Sequence, residues 1–409
     1  MADRRLLYVA AFLRALAVGM IGVLLGIYLP KLGLDPARAG AVIAAGLAGG
    51  AVSTLLATFG GDRFGRKRFL LALALVGAAG GAVVAVASDA VVLGAAAFAG
   101  MVNGMGRDRG ASLVFDQAIL PATAGDADRT RVFAWYNVLQ DAGHALGGLC
   151  AGLPAVLRAL FHVGEMPSLR AAVTFYAALL LLTAALYARL GPAIEAPPAA
   201  VTARRVPLSP ETRRTLFKIC ALFSLDSLGG GFLTTALLSF FFYERFGAGE
   251  GVIGPLFAAA RVMNAVSHLG AAWLARRIGL VNTMVFTHIP SSLLLVTVAF
   301  APTFLVAAVL FVLREGLVEM DVPTRQSYVM AVVRPEERTF ASGVTALVRL
   351  FAWAVAASFA GPLMSGVALM RPLLIGAGMK VVYDVLLWKA FRRLRPPEEG
   401  SGGNGPAAA

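Results

Sequence analysis

Charged residues are scarce in this chain. Asp, Glu, Lys and Arg make up only 14% of its 409 residues, whereas 58% are hydrophobic and the mean hydropathy is +0.77. Because a soluble domain carries about a quarter charged residues, this composition excludes an ordinary water-soluble fold. The apolar surface is too large for one core, so we expect a lipid bilayer around much of it.

Cysteine and histidine are also rare. The two cysteines, Cys150 and Cys220, lie in apolar stretches, so we expect them to pack rather than to form a disulfide. The four histidines are scattered, and neither an HExxH nor a CxxC pattern occurs. We therefore expect no metal and no cofactor, and an enzyme is disfavoured. The chain also lacks an ATP-binding loop, which disfavours a primary pump.

The net charge of +13 is the one strong excess. In a soluble protein it would suggest nucleic-acid binding. In a membrane protein, basic residues instead mark the cytoplasmic loops. We therefore expect no nucleic-acid partner.

Apolar segments of membrane-spanning length recur along the whole chain. Since a transmembrane helix needs about 20 mostly apolar residues, the pattern predicts an all-α membrane protein of twelve transmembrane helices. The predicted segments are 6–29, 39–58, 69–88, 91–119, 131–156, 170–190, 216–242, 251–273, 281–300, 303–330, 340–364 and 371–391.

Basic residues favour one orientation. With the N-terminus in the cytoplasm, the cytoplasmic loops and tails hold about 21 basic residues and the opposite side about 5. Both termini are then cytoplasmic, as an even number of helices requires.

The chain divides into two similar parts. We predict an N-terminal six-helix bundle over 1–190, a cytoplasmic linker over 191–215, a C-terminal six-helix bundle over 216–395 and a disordered tail over 396–409. Asp116-Gln117 through Asp128-Arg129-Thr130 matches Arg325-Gln326 through Glu337-Arg338-Thr339 in spacing. This repeat favours two pseudo-symmetric halves, as in secondary transporters. Within the linker, Ser209 and Pro210 predict a helix start.

The loop after the second segment carries a motif. Residues 61–68 read Gly-Asp-Arg-Phe-Gly-Arg-Lys-Arg, which resembles the loop signature of the major facilitator superfamily. Thr58 stands where that signature has a glycine. A degenerate copy, Ala-Arg-Arg-Ile-Gly, follows at 275–279 with Arg276 at the acidic position. Gly65 predicts a tight turn between two helices.

The resemblance implies the major facilitator fold, with helices 1, 4, 7 and 10 around a central cavity. It also implies a charge network that holds the cytoplasmic side shut, in which we expect Asp116 to pair with Arg66. The alternative is a basic loop that only sets topology. The predicted gating residues are Asp62, Arg63, Gly65, Arg66, Lys67 and Asp116.

Charges inside the predicted helices point to a polar cavity. Each would cost about 2.5–3.5 kcal/mol near the bilayer centre, so these side chains must face one another or water. The predicted substrate and coupling residues are Arg14, Arg107, Asp108, Asn137, Asp141, His144, Asp226, Arg261, Glu315, Glu319 and Arg349.

Helical spacing refines this set. Asn137, Asp141 and His144 share one helix face. Glu315 and Glu319 are one turn apart and repel, so one of them is expected to hold a proton, as proton coupling requires.

Other charges and histidines are interpreted as structural. His268 and His288 are interpreted as packing residues. Asp321 with Arg325, and Lys380 with Asp384, are interpreted as pairs that neutralise each other locally.

Arg14 and Asp226 occupy corresponding positions in the two predicted halves. Leu16 and Gly19 follow the first, and Leu228 and Gly231 follow the second, near mid-depth in both cases. The two charges could pair across the cavity. The alternative is that each has a local partner, such as Asp141 or Arg261.

Together these patterns predict a secondary transporter that moves a small polar or charged solute by alternating access. Proton-coupled efflux is favoured, in a bacterial export-type member of the superfamily that lies in the inner membrane and acts as a monomer. The alternatives are a hydrophobic drug/H⁺ antiporter or an uptake symporter of the same superfamily, and more remotely a receptor or channel.

Overall fold

A computed structural model gives the fold of residues 2–120, 129–195, 209–320, 338–365 and 368–391. The predicted Asp321–Arg325 pair, the repeat residues 325–337 and the C-terminal tail lie outside these ranges.

The described residues fold as fifteen α-helices and one 3-10 turn, Pro192–Ile194, without a β-strand among them. In chain order the helices are α1 Ala2–Lys31, α2 Pro36–Phe64, α3 Arg66–Val86, α4 Ala90–Ala99, α5 Ala111–Ile119, α6 Arg129–Cys150, α7 Leu153–Phe161, α8 Glu165–Ala188, α9 Pro210–Gly231, α10 Thr235–Phe246, α11 Glu250–Ile278, α12 Leu280–Phe300, α13 Phe304–Val318, α14 Arg338–Leu363 and α15 Arg371–Phe391.

Seven spans in the described part are long and apolar enough to cross a membrane, and one of them, Thr212–Phe246, takes in both α9 and α10. The bent pair Trp135–Cys150 and Leu153–Phe161, with 41° between its helices, makes an eighth if it is one span. The protein is thus an all-helical, multi-pass membrane protein. The total of twelve spans stays a prediction.

Two predicted helices are broken. The segment 91–119 is not continuous: α4 ends at Ala99, α5 begins at Ala111, and Met101 and Gly106 take positive φ values of 52° and 66° between them. The segment 216–242 is interrupted between Gly231 and Thr235. The second break, Phe-Leu-Thr at 232–234, does not follow from hydropathy, because its residues are largely as apolar as the helices beside it. The first break instead carries four glycines and the charged residues Arg107, Asp108 and Arg109.

Contacts between backbone positions divide the chain into two compact units. Unit 1 comprises Met1–Arg204, Gly231–Arg261 and Trp353–Pro372, and unit 2 comprises Arg205–Gly230, Val262–Ala352 and Leu373–Ala409. The two sequence halves predicted above remain a separate prediction.

Small residues bring α1 and α6 together in unit 1. A Cβ atom at Gly143 would lie 2.7 Å from the Phe12 carbonyl oxygen, and Gly147 leaves no room for one beside the Leu16 carbonyl. In lipid, such close backbone approach replaces the hydrophobic driving force between helices. It places residues 136–144 of α6 alongside Arg14 of α1.

An apolar cluster holds α9, α12 and α15 together in unit 2. Its members are buried and come from all three helices: Ile219, Phe223, Val281, Met284, Val285, Tyr383 and Leu387. The cluster positions the charged residues of these helices against one another.

Glycine turns join both helix pairs that carry the loop motif. Gly65, with φ at +100°, connects α2 to α3, and Gly279, with φ at +85°, connects α11 to α12. A side chain is strained in this left-handed region, so the motif's glycine is required at both places. Ser209 also acts as predicted, because its hydroxyl accepts from the Thr212 N–H at the start of α9.

Candidate functional site

Arg14 is the centre of a buried charge cluster in unit 1. Its guanidinium donates to Asp108 at 2.9 Å, to Asp116 at 2.6 Å and to the Tyr187 hydroxyl. Arg14 is 5% exposed and Asp116 is 0% exposed. One guanidinium therefore faces two carboxylates. When both acids are ionised, the three side chains carry a net charge of −1.

One face of α6 completes this cluster. The Tyr136 hydroxyl donates to Asp116 at 2.8 Å, Gln140 donates to Asp108 at 3.4 Å, and His144 Nε2 accepts from the Asp108 backbone N–H at 2.8 Å. These residues recur every four positions and so share a face. Of the residues predicted to share this face, His144 is buried, whereas Asn137 and Asp141 are exposed.

The break between α4 and α5 positions Asp108. Asn103 stabilises the break from within, because its side chain donates to the Arg107 carbonyl and accepts from the Met105 N–H. The start of α10 supplies further hydrogen bonds to the break. The Ala236 N–H donates to the Gly104 carbonyl, and the Thr235 hydroxyl donates to the Met105 carbonyl. Irregular backbone at membrane depth is tolerated only where protein or water satisfies its polar groups.

Further arginines surround the break. Arg261 donates to the Thr235 hydroxyl at 3.2 Å, and Arg109 lies 5.2 Å from the centre of the Trp353 ring. His144 is within electrostatic range of Arg107, Arg109 and Arg261. Unit 1 therefore places predicted site residues 14, 107, 108, 144 and 261 in one neighbourhood.

The loop motif in unit 1 binds a carboxylate that sequence reasoning missed. Glu195 accepts from the backbone N–H groups of Arg66 and Lys67, at 2.7 and 3.2 Å. It thereby caps the first turn of α3, which lacks a side-chain cap of its own. Lys67 Nζ donates to the Leu190 carbonyl at 2.6 Å, so the loop is tied to the chain just after α8.

The predicted Asp116–Arg66 pair is wrong for this structure. Arg66 pairs with Asp62 at 2.7 Å, four residues away on the chain. Asp116 faces the interior of unit 1 and binds Arg14 and Tyr136 instead. The buried face of the short helix α5 decides this, because an interior carboxylate needs an interior cation.

Unit 2 holds a second charge cluster. Asp226 of α9 accepts from Lys380 at 2.9 Å and lies 3.7 Å from Arg349. Lys380 Nζ also lies 3.3 Å from His288 Nε2, and His288 Nδ1 lies 2.9 Å from Asp384. The interpretation of His288 as a packing residue was therefore wrong, and Lys380 and Asp384 hydrogen-bond to residues outside their own helix.

Arg14 and Asp226 are each paired within their own unit. Arg14 pairs with Asp108 and Asp116, and Asp226 pairs with Lys380 and Arg349. Of the predicted acidic pair, Glu315 lies on α13 and Glu319 is the residue that follows its last turn. Glu315 accepts from Arg314 and, at 3.0 Å, from Asn264.

A family model described as Major Facilitator Superfamily matches residues 7–357. The chain belongs to this superfamily. The superfamily consists of transporters and not of enzymes.

This major facilitator resembles a curated relative and solved structures along nearly its whole length. An uncharacterized membrane protein of Saccharomyces cerevisiae, YJR124C, is 23% identical over 94% of this chain and 93% of its own. The nucleoside transporter NupG superposes with a TM-score of 0.72 at 18% identity, over 96% of this chain and 100% of NupG. A D-xylose-proton symporter superposes with a TM-score of 0.67 at 13% identity, over 97% and 99%.

Sequence reasoning missed several polar residues of this major facilitator. Tyr136 and Tyr187 were overlooked because a buried tyrosine is usually a packing residue. A usable signal was the four-residue spacing of Tyr136, Gln140 and His144. No local pattern marked Glu195 or His288, whose partners lie more than 90 residues away.

Proposed function

We propose that this protein is a proton-coupled secondary transporter that exports a small polar or charged solute by alternating access. It acts as a monomeric, export-type member of its superfamily. It lies in the bacterial inner membrane with both termini in the cytoplasm, and the halves 1–190 and 216–395 move against each other.

The observation that carries this proposal is the binding of Arg14 to Asp108 and Asp116 beside a broken helix. Transporters bind solutes and coupling ions where discontinuous helices release backbone and side-chain polar groups. Here the break at 100–110 carries Arg107, Asp108 and Arg109, and α6 adds Gln140 and His144. A solute that competes for Asp108 or Arg14 would rearrange the cluster, which couples binding to movement.

A polar solute fits the site around the α4–α5 break better than a hydrophobic drug does. The groups around the break are mostly charged or hydrogen-bonding, and Trp353 beside Arg109 adds one aromatic surface. The similar proteins of known structure are named for a nucleoside and a pentose, which are also polar and uncharged or weakly charged at neutral pH.

Flux into proteoliposomes tests the proposal. Purified protein is reconstituted, and radiolabelled nucleosides, pentoses, small organic anions and one lipophilic cation are screened for counterflow. A carrier accelerates exchange of a preloaded solute, whereas a channel or receptor does not. We expect counterflow of a polar solute that is lost in Arg14→Gln and retained in Arg5→Gln, an exposed arginine on the same helix.

The likeness to a proton symporter favours uptake as a second candidate. The sign of an imposed pH gradient separates the two. Antiport fills vesicles whose interior is acidic, because outgoing protons drive the solute inward. Symport fills vesicles whose interior is alkaline. Solute accumulation that is the same under both pH gradients would contradict proton coupling.

A further inference from the structure

Four ionisable side chains form a continuous chain inside unit 2. In order they are Asp226, Lys380, His288 and Asp384, joined by contacts of 2.9, 3.3 and 2.9 Å. Each is less than 9% exposed, and Asp384 is 0% exposed. Burying charged side chains is costly unless they are paired. Four of them in contact inside one unit therefore indicate a functional role.

The geometry assigns the protons in this chain. Lys380, charged by its ion pair with Asp226, has donors only. Nε2 of His288 must therefore accept from Lys380, which leaves the ring hydrogen on Nδ1. His288 is then neutral and donates from Nδ1 to an ionised Asp384 at 2.9 Å.

Arg349 decides whether this arrangement is electrically neutral. With Arg349 on Asp226, two cations balance two carboxylates. The Arg349–Asp226 contact is the longest in the group, at 3.7 Å, and the Arg349 side chain is 18% exposed, more than any other member. If Arg349 moves away, the formal charges of the four residues sum to −1, and binding one proton brings that sum to zero.

We infer that Asp226, Lys380, His288 and Asp384 form a one-proton binding site, and that Arg349 competes with the proton for it. The bound proton resides on the His288–Asp384 pair, either as imidazolium with carboxylate or as Nε2–H imidazole with carboxylic acid. One proton enters at Nε2, and in the second form the Nδ1 proton also moves to the carboxylate of Asp384. This assignment rests on the proposed function, because it gives the coupling proton its site.

Protonation of His288 would change the contacts between helices. A doubly protonated ring has donors on both nitrogens, so Nε2 and Lys380 Nζ would face each other as two donors at 3.3 Å. That contact has to open, and Lys380 is left to Asp226 alone. Proton binding is thereby linked to the packing of α12 against α15.

The positions of the four residues suit a path to one side of the membrane. His288 lies eight residues after Leu280 and Asp384 lies seven before Phe391, so both are about 11–12 Å from helix ends that the basic-residue bias assigns to the cytoplasm. Asp226 lies 16 residues after Pro210, or about 24 Å along its helix. The chain therefore runs from the bilayer interior toward the cytoplasmic side.

Within the described residues, the charged and titratable groups that face His288 come from the helices packed on α12. Of the helices packed on α12, α15 contributes Lys380, Tyr383 and Asp384. Helix α13, which also packs on α12, carries Arg314 and Glu315, which bind each other. Asp226 and Arg349 lie on the far side of Lys380, since Asp226 binds Lys380 at 2.9 Å and lies 3.7 Å from Arg349.

Nitrogen NMR of the full chain in lipid nanodiscs tests the site without any solute. Histidine is labelled on its ring nitrogens, and the His288 signal is assigned by its loss in His288→Gln. The control His162→Asn removes an exposed histidine at a left-handed position that Asn tolerates. We expect the neutral Nδ1–H form at alkaline pH and its loss on acidification, because the site then holds its proton.

Removing the competitor gives the sharper result. Arg349→Gln should raise the ratio of protonated to Nδ1–H neutral His288–Asp384 pairs about tenfold at a given pH, which corresponds to one pH unit. Arg214→Gln, an exposed arginine on the same helix as Asp226, should leave this ratio unchanged. The proposal is overturned if His288 never shows the Nδ1–H form, or keeps it over the whole range in both the parent chain and Arg349→Gln.

Flux separates this inference from the proposed function. In His288→Gln, counterflow should persist while gradient-driven accumulation falls to an inside-to-outside ratio of about one, the value for an uncoupled carrier. Coupled accumulation by that variant would overturn the proton site and leave the transporter intact. If the parent chain shows no flux of any solute but His288 still binds a proton by NMR, the proposed function is wrong and the proton site stands.

Discussion

Arg14 and Asp116 form an ion pair of 2.6 Å in which the two side chains are 7% and 0% exposed. The pair joins α1 to α5, the short helix that follows the break. It is not isolated, because Arg14 also binds Asp108 and Asp116 also binds Tyr136. The consequences of removing either partner are therefore unequal.

Arg14→Gln should destabilise the protein more than Asp116→Asn. The first change strands two buried carboxylates, and loss of one partner from a buried pair costs about 3–5 kcal/mol. The second leaves Arg14 bound to Asp108 and should cost less. Free energies of unfolding in detergent give the comparison, with Arg5→Gln as the exposed control. An equal loss in both variants would contradict this account.

The cycle of Arg14 with Asp226 should be additive in stability. Each residue has its partners in its own unit, so neither replacement removes a contact of the other. The cycle of Arg14 with Asp116 should instead show a coupling energy of about 0.5–3 kcal/mol. A large coupling energy between Arg14 and Asp226 would contradict this account and support the direct pairing that their corresponding positions suggest.

His144→Leu should lower stability by about 1–3 kcal/mol, because it leaves the buried Asp108 N–H without an acceptor. Asn137→Leu, at an exposed position two turns earlier on the same helix, should change stability little. Thermal unfolding of the two variants side by side checks this. A larger loss of stability in Asn137→Leu than in His144→Leu would contradict this account and would favour Asn137 and Asp141 as the important residues of α6.

Glu195→Ala should destabilise the start of α3. The carboxylate accepts two backbone N–H groups there, and loss of such a cap costs about 0.5–2 kcal/mol. Glu195→Gln keeps one acceptor and should lose less. Hydrogen exchange at Arg66 and Lys67 reports the effect directly, and unchanged exchange at both amides would argue against the cap.

Asp62→Asn tests the gating role of the loop. Loss of the Arg66 ion pair should lower flux while expression and membrane insertion stay normal, because the basic residues that set topology are untouched. Arg68→Gln is a matched change in the same loop. If Asp62→Asn transports as the parent does, the motif is a topology signal only.

The sequence by itself determined the membrane setting, most helix spans, the glycine turn at residue 65 and the superfamily. These are local properties, set by the length of an apolar run, by the charge of a loop and by the one residue that tolerates a positive φ. The positions of Arg14, Asp108 and Asp226 as buried charges followed for the same reason, since any charge in an apolar helix needs a partner.

Only the tertiary structure decided which partner each charge has. The partners of Arg14 lie 94 and 102 residues along the chain, and that of His288 lies 96 residues away. It also decided where helices break, because Thr235 and Ala236 of another helix satisfy the backbone that the break at 100–110 exposes. Hydropathy measures the cost of burying a polar group, whereas the bond that offsets this cost depends on residues brought near only by folding.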